Sequence, residues 1–258
     1  MLALNMNADS SKKSPRDIKN ADFASRAEEL PVADDSIMHS GSDYRILESV
    51  ALPVGVRKTC LLTMGRDAIE TVHPQPANCE ALVISGELTL TATETTNETA
   101  TEATAEVTSE TTHLGAGDYL RLPQVGSLQL HTKQGCCVFL KLGEMLDADQ
   151  SERKTNTRDD TLWLPGPVEH TEVMPLHMHE SRSVLLIRWS APAWFKPQLD
   201  PQGEEVFVLT GKLHDARGTY EPGSWIRNPV PAWQAWGGHP GTLVYYKNGH
   251  FPDAECKT

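Results

Sequence analysis

The chain of 258 residues has no long apolar run. Its aliphatic runs, such as Ala81-Leu82-Val83-Ile84 and Val184-Leu185-Leu186-Ile187, fall far short of the roughly 20 residues a membrane span needs. It is also short of positive charge. Lys and Arg total 23 against 35 Asp and Glu, a formal net charge of −12. A phosphate backbone is bound by a positive field, so a nucleic-acid partner is not expected. The five cysteines (Cys60, Cys79, Cys136, Cys137 and Cys256) include no CxxC pair, which argues against a zinc ribbon or a thioredoxin-like site. Reduced thiols in a cytoplasmic protein are the plain expectation. The opening residues MLALNMNADSSKKS hold no sustained apolar core, so no secretory signal is expected, and Met6 is a second candidate start. No Ser-His-Asp, P-loop or dinucleotide-binding signature is present.

What the chain does have is short runs of β-branched and apolar residues: RKTCLLTM, EALVISGELTL, DYLRLP and CCVFLKLG, then SVLLIRW, EEVFVLTGKL, SWIRNP and TLVYYKNG. Gly and Pro punctuate them, and no helical period rises above the pattern. That arrangement predicts an all-β sandwich or barrel.

An internal repeat organises these runs. Glu80, Val83, Gly86 and Leu88 recur 125 residues later as Glu205, Val208, Gly211 and Leu213. Gly117, Arg121, Pro123, Gly135, Lys141 and Gly143 recur 106 residues later as Gly223, Arg227, Pro229, Gly241, Lys247 and Gly249. The change of offset marks a 19-residue insertion in the first copy. It falls in Thr91–Thr112, which holds ten Thr and five Glu, the latter at 94, 98, 102, 106 and 110. Like charges four residues apart oppose a helix and Thr favours extended backbone. A mobile acidic loop or an elongated hairpin is therefore expected, as a tolerated surface insertion ahead of a partner-binding arm. The expected layout is a polar leader (1–45), a first β unit (46–146, insertion 91–112), a linker (147–160) and a second unit (161–252).

The second copy resembles the cupin domain of the ChrR-like family, named after an anti-sigma factor. The likeness rests on Gly203-Glu204-Glu205-Val206-Phe207-Val208-Leu209, then Gly211, Asp215, Gly218 and Tyr220, and on Pro222 through Pro229 (PGSWIRNP). Val173–His177 and Val184–Trp189 resemble its lead-in strands; Asn20-Ala21-Asp22-Phe23 resembles its usual opening. The resemblance implies two tandem cupin barrels, double-stranded β-helix jelly rolls forming a bicupin, over roughly residues 20–251.

A cupin metal site takes two His at i and i+2, a Glu four residues on and a His from a facing strand. Carried over residue by residue, those positions fall on Gln198, Asp200, Glu204 and Gln234 in the second copy. In the first they fall on His73, Gln75, Cys79 and Leu128. Oxygen donors suit hard cations, but no imidazole remains in the second set to favour a transition metal. His73 with Cys79 offers two ligands where at least three are wanted, and catalytic residues stay unassigned. The cofactor expectation is at most a weakly held divalent metal (Zn, Fe, Mn or Ni). The literal His177-x-His179 precedes a strand rather than a GEE turn and reads as a hydrogen-bonded structural element.

Aromatic residues crowd the second copy: Trp189, Trp194, Phe195, Phe207, Trp225, Trp233, Trp236, Tyr245 and Tyr246. A lumen lined by Trp194, Phe207, Trp225, Arg227 and Trp233 would suit a small, partly apolar ligand, with a packed core as the equal alternative. Arg121 and Arg227 stand at equivalent positions. Each is expected in a structural salt bridge, with Glu204 the candidate acid for Arg227. The vicinal Cys136-Cys137 should place one thiol on each face of a strand.

The resemblance thus implies a ligand-binding or stress-regulatory bicupin with degraded metal sites, ahead of a metal-dependent oxygenase acting on a small diketone or aromatic ketone. Sigma-factor binding does not carry over, because residues 1–45 hold His39 but no Cys for a zinc-binding domain. A small-molecule ligand is the expected partner, and the chain is expected as a monomer or a homodimer.

Overall fold

The computed structural model describes residues 17–20, 41–52, 55–74, 77–95, 107–145, 148–196, 203–228 and 235–249. Among them there is no α-helix. The first half runs β1 (Asp17–Asn20), β2 (Ser42–Leu52), β3 (Gly55–Met64), β4 (Ile69–Val72), β5 (Cys79–Thr95), β6 (Val107–Gly115), β7 (Asp118–Leu122), β8 (Ser127–His131) and β9 (Cys136–Leu142). The second runs β10 (Arg153–Asn156), β11 (Leu164–Pro165), β12 (Thr171–His179), β13 (Arg182–Trp189), β14 (Ala193–Phe195), β15 (Glu204–Thr210), β16 (Leu213–Asp215), β17 (Gly218–Tyr220), β18 (Ser224–Asn228), β19 (Trp236–Gly238) and β20 (Leu243–Asn248). A 3-10 turn, Asp160–Leu162, sits between β10 and β11.

The duplication is visible in the sheets. In the first half the order is β7-β5-β9-β3-β2, and in the second it is β18-β15-β20-β13-β12. These are the same antiparallel ladder twice. Each ladder is extended at its β7 or β18 edge by a strand from outside its own half. Strand β1, which precedes the first half, pairs with β18; β10, which opens the second, pairs with β7. From sequence alone β1 falls in the polar leader and β10 in the linker, because four-residue polar strands carry no apolar period to betray them.

Among the described residues the buried apolar side chains form three clusters. One lies inside the first half and is aliphatic and thiol-rich, with Cys60, Leu62, Cys79, Leu88, Leu90, Leu128 and Cys136. A second lies inside the second half and is aromatic, with Trp189, Phe195, Tyr220 and Trp236. The third is a seam holding Leu61, Leu82, Phe139, Phe207, Trp225 and Tyr245 from the two large sheets, with Phe139 stacked on Phe207 at 4.4 Å. Both faces of these sheets are therefore covered, which is why their strands read as nearly continuous apolar runs.

Repeated glycines mark places where no side chain fits. Gly86 and Gly211 both adopt positive φ; a Cβ on Gly86 would lie 2.1 Å from the Gly135 carbonyl oxygen, and one on Gly211 would lie 2.5 Å from Thr242 Cα. Only glycine satisfies both the backbone conformation and the close approach. In the described part of the Thr/Glu insertion, β5 and β6 pair from Glu87↔Gly115 to Thr95↔Val107. This is the elongated hairpin, stitched by a Thr91–Thr111 hydroxyl contact of 3.1 Å; residues 96–106 lie outside the described set.

Candidate functional site

Strand alternation decides what each half offers a ligand. In β15, Glu204, Val206 and Val208 point into the second half, while Glu205, Phe207 and Leu209 point into the seam. On β18, Ile226 and Asn228 point inward, and Trp225 and Arg227 point to the seam. The five proposed lumen residues are thus dispersed. Phe207, Trp225 and Arg227 belong to the seam, and Trp194 is 51% exposed. Trp233 lies outside the described residues. Counting aromatics by composition could not separate the two faces; counting parity from Glu204 along β15 would have done so.

What faces inward is a row of rings that ends on a carboxylate. Phe195 stacks on Trp236 at 4.7 Å between centroids, Trp236 stacks on Tyr246 at 5.8 Å, and Trp189 meets Phe195 edge-on at 5.8 Å. At the end of this row the Tyr246 hydroxyl donates to Glu204 Oε2 at 3.2 Å, and the Asn228 amide donates to Oε1 at 2.8 Å. Two donors from separate strands fix the carboxylate inside an aromatic wall. Arg227 faces the other way from Glu204, and its Nη1 lies 2.8 Å from Glu48 Oε1 across the seam. The reason is again parity, since neighbouring residues on β18 face opposite ways.

Among the described residues, the first half offers no such wall. Cys79 and Leu128 are buried in its aliphatic core, whereas His73 is exposed, so these positions do not converge on one site. Burial raises the Cys79 thiol well above its ordinary value, and raises Cys60 to about 12. Neither is a ready thiolate. Cys136 lies in the same core and Cys137 in the seam, the alternation expected of a vicinal pair. Gln75, Gln198, Asp200 and Gln234 lie outside the described residues. Among the described residues, no group of three or more His, Cys, Asp and Glu is arranged to hold a metal. The donor set at the second-half positions, two amides and two carboxylates, is also poor for a transition metal. The residues present do not fit the group a cupin of this pattern would carry.

A second polar constellation lies in the seam and is built from the repeat itself. The register places Arg121, Glu80 and Lys141 side by side on β7, β5 and β9, and Arg227, Glu205 and Lys247 likewise on β18, β15 and β20. The lysines then cross over. Lys141 donates to Glu205 Oε1 at 2.7 Å, and Lys247 to Glu80 Oε2 at 3.2 Å. Glu144 bridges both, at 3.0 Å from Lys141 and 3.1 Å from Lys247. Desolvation would lower the Lys247 ammonium, but Glu80, Glu144 and Glu205 outweigh it and hold the ammonium above its ordinary value.

Residues 151–252 match the ChrR cupin-like domain family. The match spans less than half of the chain, and the resemblance to solved structures extends further. The chain is similar to a proposed glyoxylate-induced protein from Pseudomonas aeruginosa (TM-score 0.61, 14% identity, 94% of this chain and 93% of that one covered). It is similar to protein Ylba from E. coli (0.56, 14%, 82% and 84%) and to a cupin 2 conserved barrel domain protein from Leptotrichia buccalis (0.52, 11%, 92% and 98%). At such identities the likeness establishes the two-cupin fold and nothing finer. No curated protein matches the chain in sequence. Among the described residues, no helix is long and apolar enough to cross a membrane.

Proposed function

We propose that the chain is a small-molecule-binding bicupin of regulatory type, with the ligand site in the ChrR-like half beside Glu204. The contrast between the two interiors carries this reading. One is filled with aliphatic side chains and protonated thiols. The other presents stacked rings ending on a hydrogen-bonded carboxylate. Flat rings give apolar area and a preferred ligand orientation, while a carboxylate brings negative charge and acceptor oxygens suited to a ligand donor or cation. The ligand class that fits is a small aromatic or cyclic molecule bearing an ammonium or a hydroxyl.

Benzylamine, benzyl alcohol and benzoate test the preference by intrinsic tryptophan fluorescence. Benzylamine is expected to bind best and benzoate worst, and Glu204→Gln should abolish the difference. Equal binding of all three, or a preference unaffected by Glu204→Gln, overturns the assignment. The competing reading is an oxygenase, prompted by Glu204 at the cupin carboxylate position and by similarity to a proposed dioxygenase from Nostoc punctiforme (TM-score 0.55, 10% identity). Elemental mass spectrometry on protein purified without chelator decides between them. Stoichiometric metal lost on Glu204→Ala would favour that chemistry over simple binding.

A further inference from the structure

We propose that Asp149 and His177 form an acid-sensitive latch across the seam, released when His177 takes up a proton. Asp149 lies between the halves and holds one with each oxygen-bound partner. Arg121 of β7 reaches its Oδ2 at 2.7 Å and His177 Nε2 of β12 reaches the same oxygen at 2.7 Å. Arg121 also donates to the backbone oxygens of Ser151 and Asp149, so the linker is fastened to the first half and His177 fastens the second half to the linker. All three side chains are buried, His177 being 7% exposed.

The proton arrangement follows from the chemistry. Arg121 already supplies a full positive charge to Asp149, so the carboxylate is ionised and His177 needs only a neutral Nε2–H to complete the contact. His177 Nδ1 is buried without a protein hydrogen-bond partner. A proton placed there creates a donor with no acceptor and a second cation beside Arg121, both in a desolvated site. The ring faces Asp149, Arg121 and, from β5, Glu80. Arg182 on β13, Glu144 beyond β9 and Lys247 on β20 close the same cavity of about 20 Å³. His179 follows on the ring's own strand, with Nδ1 3.7 Å from Asp149 Oδ1. Acids and bases around the cavity nearly balance, so no surplus negative charge is waiting for an imidazolium.

The direction agrees with the geometry. Burial, the largest effect, pulls His177 below its ordinary value despite the hydrogen bond to Asp149. For Asp149 burial pushes upward, but the His177 hydrogen bond and the Arg121 charge prevail and hold it below the usual carboxylate range. A histidine lowered in the folded state makes the unfolded or opened state the better proton acceptor. The latch is therefore intact above a pH of about 6.5, the free imidazole value, and weakens as pH falls below it. Asp149 contributes in a separate, more acidic window, below about pH 4.

NMR titration of the His177 ring in the full chain, with hydrogen exchange of β12 and residues 148–152 at pH 7.5 and 5.5, tests the latch. His177 is expected to titrate below the usual imidazole value. After correction for intrinsic chemistry, β12 amides should exchange severalfold faster at pH 5.5. His177→Gln, which keeps a donor for Asp149 and cannot be protonated, should remove that acid dependence. Titration at or above the usual value overturns the proposal, as does equal acid acceleration in His177→Gln. Should that variant fail to fold, the wild-type titration decides alone.

Discussion

At the level of single residues, the seam lysines and glutamates are where one atom matters most. Lys141 and Glu205 are each about 1% exposed at the side chain and 2.7 Å apart. Removing one partner leaves the other charge buried, which costs about 3–5 kcal/mol in comparable sites. Glu205→Ala is therefore expected to lose about 3 kcal/mol in urea unfolding, because Glu144 still partners Lys141. The double variant Lys141→Met/Glu205→Leu should lose clearly less than the sum of its single variants. An additive double variant would show that the pair does not act as a unit. These same residues were conspicuous in the sequence as repeat identities. That they repeat was legible; that Glu80 and Glu205 exchange lysines across a seam was not, because the crossing depends on how the halves face each other.

Among the elements, β1 and β10 form a reciprocal device. Each precedes its own half and completes the edge of the other, covering backbone donors and acceptors that an open edge would expose. Deleting residues 1–20 should uncover the β18 edge, lower the midpoint of thermal unfolding and promote concentration-dependent association seen by light scattering. An unchanged midpoint and a monodisperse sample would show that the β1–β18 ladder contributes nothing. The longer strands were legible from their apolar runs bounded by Gly and Pro. The short polar ones were not, since their stability comes from the edge they join rather than from any face they bury. For the Thr/Glu insertion the sequence excluded a helix but left loop and hairpin open; the pairing of Glu87–Thr95 with Val107–Gly115 decided for the hairpin.

For the whole molecule, the shared seam cluster and its buried ion pairs make the halves interdependent. Differential scanning calorimetry should show one cooperative transition with matching calorimetric and van't Hoff enthalpies; two separated transitions would show that the seam is too weak to couple them. The sequence by itself determined that this is an all-β duplication with a ChrR-like second copy, because strand period, turn glycines and repeat offsets are local properties of the chain. By resemblance it also put the second copy's ligand positions on Gln198, Asp200, Glu204 and Gln234, none of them a histidine, which is a matter of residue identity alone. Tertiary structure decided which aromatic residues face the interior of the second half and which face the seam. In sheets covered on both sides apolar and aromatic residues stand on both faces of the central strands, so composition cannot tell lumen from seam. Only the packing of one sheet on the other gives Phe207 and Trp225 to the seam, leaves Trp236 and Tyr246 beside Glu204, and brings His177 to Asp149.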